Sequence, residues 1–148
     1  MAFHFSLDAI LRMWRSREKF ERLRLETLAA RIDRLRHEIE AVEQASHEER
    51  KDLASVLPQG MAASQLQFAA LCTDGRRRFR DLMEKQIVEL EKQREIQRKI
   101  FEHARRQREI LENLRGRKLD AYRAEEARQA QQEMDELFLA RRNSAPSE

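Results

Sequence analysis

From Leu7 to Leu57 the chain carries neither glycine nor proline, and its apolar residues return in steps of four and three. The seam reads Leu7, Leu11, Trp14, Glu18, Glu21, Leu25, Leu28, Ile32, Leu35, Ile39, Val42, Ser46, Glu49, Leu53 and Val56. Eleven of these fifteen positions are apolar, enough to keep one stripe on one side of a helix for seven heptads. The spacing predicts a helix over about 7–57, roughly 75 Å long at 1.5 Å per residue. Ser6 is placed to cap it, with Phe5 folding onto Ile10 as a hydrophobic staple. A helix of this length with a single apolar stripe is stable only when the stripe is covered.

The cover is expected from the second half. Pro58 and Gly60 end the first helix, one by removing a donor and the other by accepting turn conformations. Ser64-Gln65-Leu66-Gln67 reads as a capping box that opens a second helix over about 65–141. Asp74-Gly75 is a candidate break near 73–75. Beyond it the seam is read as Phe79, Met83, Gln86, Leu90, Gln93, Gln97, Ile100, Ala104, Gln107, Leu111, Leu114, Lys118 and Ala121, with its register open. The economical fold is all-α, a long antiparallel two-helix coiled-coil hairpin. It forms a single domain over 1–142, followed by a disordered tail over 143–148. The second helix is the longer, so its last 20 or so residues are expected to project past the start of the first.

Composition narrows the function. Val, Ile and Thr number only 12 of 148 residues, which argues against a sheet. No apolar run approaches the roughly 20 residues that cross a bilayer, and no secretory leader is visible. The single Cys72 fits a reducing compartment. A two-helix hairpin offers no enclosed cavity in which catalytic groups converge, and the four histidines are never three or four residues apart. The chain is therefore read as no enzyme, with no cofactor, no metal and no small-molecule substrate. Charge is uneven: residues 1–60 hold 11 bases and 11 acids, whereas residues 76–118 hold 15 bases and 8 acids. That basic stretch suits an acidic protein surface or, in the alternative from another class, a helical hairpin that binds nucleic acid.

The opening Phe3-His4-Phe5-Ser6-Leu7-Asp8-Ala9-Ile10-Leu11-Arg12 resembles the start of FliJ-type flagellar export proteins. The Glu/Arg/Gln-rich run from Arg123 to the Asp135-Glu136 pair is similar to that family's C-terminal segment, and chain length and turn position agree. The resemblance implies a coiled coil like the central stalk of rotary ATPases, in the cytoplasm and peripheral at the cytoplasmic face of the inner membrane. It implies three partners: a hexameric export ATPase, the cytoplasmic domain of the membrane export gate, and export chaperones. The membrane is approached only through these partners. The ATPase-facing end then falls to Leu7, Leu11 and Trp14 with Met134, Asp135 and Leu137 across the pair. The gate-facing patch falls to Leu66, Phe68, Leu71, Cys72 and Phe79, interrupted by Gly75 and Arg76. A stalk of a virulence-type III secretion system is the nearer alternative.

Overall fold

The computed structural model describes residues 2–143, and these are all-α. Helix α1 spans Asp8–Val56, a 3-10 turn spans Leu57–Gln59, and helix α2 spans Ala63–Asn143. The expected tail beyond residue 143 lies outside the described residues. The chain divides into two compact units, Lys19–Glu102 and Met1–Glu18 with His103–Glu148.

The unit Lys19–Glu102 is a helical hairpin. Pro58 is the second residue of the 3-10 turn, where its missing N–H costs nothing, and the Gly60 N–H donates to the Leu57 carbonyl at 3.2 Å. Gly60 then turns the chain at φ 90°, a conformation that L side chains rarely adopt. Helix α2 opens two residues earlier than the Ser64 motif suggests. The Gln65 N–H donates to the Ala62 carbonyl at 3.0 Å, and the Gln65 side chain accepts from the Ala62 N–H at 3.3 Å. Gln65 thus supplies the reach-back half of a capping box around Ala62. Asp74-Gly75 does not break the helix. Asp74 instead pairs with Arg78 one turn on, at 3.0 Å.

Between the two arms of this hairpin, Ile32 is wholly buried and Leu90 nearly so. Each removes roughly 1.5–3 kcal/mol worth of apolar surface from water. Polar residues share the seam. Glu21 is buried and accepts from the Gln97 side-chain amide, both at its carboxylate (2.5 Å) and at its main-chain carbonyl (3.2 Å). Arg36 meets Glu91 at 2.7 Å, and Arg76 meets Glu49 through both guanidinium nitrogens. These cross-arm pairs accord with an antiparallel register.

In the unit Met1–Glu18 with His103–Glu148, the start of α1 lies along α2. Leu11, Ala104 and Phe5 are buried, and Lys118 stands over the Phe5 ring at 5.8 Å. Phe5 is covered from α2, while Ile10 remains 43% exposed; the staple is therefore not what buries Phe5. Ser6 and Leu7 form the turn before Asp8, whose acid favours the helix N-terminus and pairs with Arg12 at 3.3 Å. The Phe3 ring meets Tyr122 at 5.7 Å. Past Tyr122, every residue from 123 to 143 is exposed, so this stretch of α2 runs on without cover.

Candidate functional site

Three surfaces stand out, two in the unit Lys19–Glu102 and one at the end of α2. The first lies by the turn. Leu53 and Val56 from α1, Met61 from the connection and Phe68, Ala69 and Cys72 from α2 line a groove of about 400 Å³. Helical spacing turns Ala69 and Cys72 toward α1, and Phe68 and Leu71 outward at 70% and 71% exposure. Leu66 and Phe79 are exposed as well, at 39% and 38%. The gate-facing candidates therefore separate: Cys72 is half-buried in the groove, Phe68 rims it, and Leu71 faces solvent.

The second surface adjoins the first. Val42, Ser46, His47 and Arg50 of α1 face Thr73, Arg76, Arg77 and Arg80 of α2 across a cleft of about 380 Å³ that also includes Glu43. Hydrogen bonding to Arg76 holds the Glu49 carboxyl below the usual carboxylate range. Arg80 stands 3.8 Å from Glu43. Reading the sequence alone identifies the basic run but not this cleft, because Arg50 is supplied by the other helix.

The third surface is the uncovered end of α2. Met134, Leu137, Phe138 and Leu139 are exposed at 67%, 59%, 68% and 48%. Met134, Leu137 and Phe138 fall on one helical face with Ala127 and Ala130, while Glu125, Gln129, Gln132, Glu133 and Glu136 occupy the other. Of the ATPase-facing candidates, Leu7, Leu11 and Trp14 belong to the seam, where Trp14 packs edge-on to His103 at 5.7 Å. Met134, Asp135 and Leu137 are exposed. The structure does not bring the two trios together, since the partners of the N-terminal segment are His103, Lys118 and Tyr122.

Much of the basic excess of α2 is engaged in pairing. Arg108 pairs with Glu18 and, at 2.5 Å, with Glu112, which also accepts from Arg15 at 3.1 Å. Burial raises the Glu112 carboxyl, but these two guanidiniums outweigh it and hold it below the usual range. Among the described residues no cluster of three His, Cys, Asp or Glu is gathered as a metal site, and no helix is long and apolar enough to cross a membrane.

A sequence comparison decides where such a hairpin belongs. The family model of the flagellar FliJ protein matches residues 3–146. The chain belongs to the FliJ family. No curated protein and no solved structure matches it. As a FliJ-family protein it is a component of the flagellar export apparatus, and it acts with other proteins of that machinery.

Proposed function

We propose that this FliJ-family chain is a non-enzymatic coupling stalk, linking a hexameric export ATPase to the cytoplasmic domain of the export gate and assisting delivery of chaperone-bound substrates. It works in the cytoplasm, peripheral to the inner membrane through its partners. The observation that carries the reading is the bare end of α2, where large apolar side chains stand on a helix that nothing among the described residues covers. Exposed apolar patches of this kind mark protein contact sites. In this reading Met134, Asp135 and Leu137 meet the ATPase, with Leu7, Leu11 and Trp14 keeping the nearby seam closed. Leu66, Phe68, Leu71, Cys72 and Phe79 form the gate-facing surface.

Co-purification with the two partners tests the assignment. Leu137→Ser with Phe138→Ser is expected to lose the ATPase and retain the gate domain. Phe68→Ser with Leu71→Ser is expected to do the reverse. All four positions are exposed, so helical content should be unchanged. If the unaltered chain captures neither partner, the coupling role fails.

A further inference from the structure

The apolar groove by the turn and the basic cleft beside it are one continuous trough, since Ser46, Arg50 and Thr73 line both. Its character changes along its length, from apolar at Val56, Met61 and Phe68 to cationic at Arg50, Arg76, Arg77 and Arg80. Two of the four arginines in the cleft meet carboxylates. Arg76 is held by Glu49, and Arg80 stands 3.8–3.9 Å from Glu43, Asp81 and Glu84. Arg50 and Arg77 have no ion pair among the described residues. The Arg80 Nε is buried with no acceptor within hydrogen-bond distance. A cationic site with unmet donors beside an exposed phenylalanine describes a ligand that is acidic at one end and apolar at the other.

We propose that this trough binds a segment of a protein partner in which Leu- or Phe-type residues lie next to a run of Asp or Glu. The apolar residues seat against Val56, Met61 and Phe68, and the carboxylates accept hydrogen bonds from Arg50 and Arg77. A nucleic acid fits less well: its phosphates gain nothing from the apolar half, and Arg108, farther along the basic stretch, is already engaged by Glu18 and Glu112. The inference rests on the gate-facing reading of Phe68 and Cys72 and adds the chemistry of the segment bound there. A chain that captures the gate domain but not the acidic peptide overturns this inference alone, whereas a chain that captures neither partner overturns the reading beneath it.

The test uses the full chain and three fluorescent probes: a peptide with a Leu-Phe pair followed by glutamates, its glutamine counterpart, and a single-stranded oligonucleotide. Anisotropy titration should show the glutamate peptide binding, with affinity falling as salt rises. Arg50→Glu with Arg77→Glu should weaken it roughly a hundredfold. Arg31→Glu with Arg34→Glu makes the same charge change outside the trough and should leave binding near the unaltered value. Phe68→Ser should weaken the glutamate peptide but not a version with the Leu-Phe pair replaced by serines. Circular dichroism verifies that every variant keeps its helix. The proposal is overturned if the glutamate peptide does not bind, if the glutamine peptide binds equally, if the Arg31/Arg34 variant loses as much, or if the oligonucleotide binds more tightly than the peptide.

Discussion

Arg108 is the side chain whose loss should be felt most sharply in the unit that holds the N-terminus. It carries a positive charge into the seam with only 22% of its side chain exposed, and it meets Glu18, which is 5% exposed. On its other side it holds Glu112 at 2.5 Å. Arg108→Met keeps most of the aliphatic stem and takes away the charge, leaving Glu18 buried without this counterion. Breaking a fully buried pair in this way costs about 3–5 kcal/mol. Glu112 is 34% exposed and water can reach it, so that half is discounted, giving about 2–3 kcal/mol for the substitution. In a chain of this length that lowers the melting temperature by roughly 5–10 °C, measured by far-ultraviolet circular dichroism. The companion variant matters more than the number. Glu18→Leu combined with Arg108→Met removes both charges from the seam and should recover most of the lost stability, because the cost lies in a buried carboxylate deprived of Arg108. Arg15→Met, at a 43% exposed position, should cost no more than about 1 kcal/mol. A double variant as unstable as the single one would refute the reasoning, as would an Arg108→Met protein that melts with the unaltered chain.

Glycine substitutions should divide by position. Gly75 and Gly116 lie within α2 with open space where a Cβ would stand, so alanine at each should raise stability by about 0.8–1 kcal/mol in urea titrations. Gly60→Ala meets equally open space but forces φ 90° on an L residue, and should lower stability by about 1–2 kcal/mol. Acidification should weaken the unit that contains Glu112. Its folded pKa is depressed, so its contribution is complete above the ordinary glutamate value near 4.3 and is lost as pH falls through the lower folded value. Thermal melts below about pH 4 should show the decline, and Glu112→Gln should flatten it.

The sequence reading fits α1 closely and α2 at alternate positions. Every expected seam residue of the first arm is at least partly covered except Glu49 and Val56. In the second arm Met83, Leu90, Gln97, Ala104 and Leu111 are covered as expected. Between them the structure uses Arg80, Ile87, Arg94 and Phe101, where the heptad spacing points to Phe79, Gln86, Gln93 and Ile100; farther on, Arg108 and Arg115 are covered beside the expected Gln107 and Leu114. An arginine counts as polar in any apolar pattern, yet its stem can lie along a seam while its head reaches a carboxylate on the other helix. The same cause hid the basic cleft: Arg50 lies far from Arg76 and Arg77 in the chain, and only the antiparallel register makes them neighbours. The turn was legible from Pro58 and Gly60 because those residues act through their own backbones, and the start of α2 was misplaced because Gln65 acts through a side chain.

The arginines at 80, 94, 108 and 115 repeat at multiples of seven, so they share one position of the heptad. Two copies of α2 laid side by side in parallel would set like charges against each other at each of these points. Helix α1 offers Glu43 to Arg80 and Glu18 to Arg108 instead. The charges thus penalise an in-register parallel pair of α2 helices and favour the tethered α1 at Arg80 and Arg108.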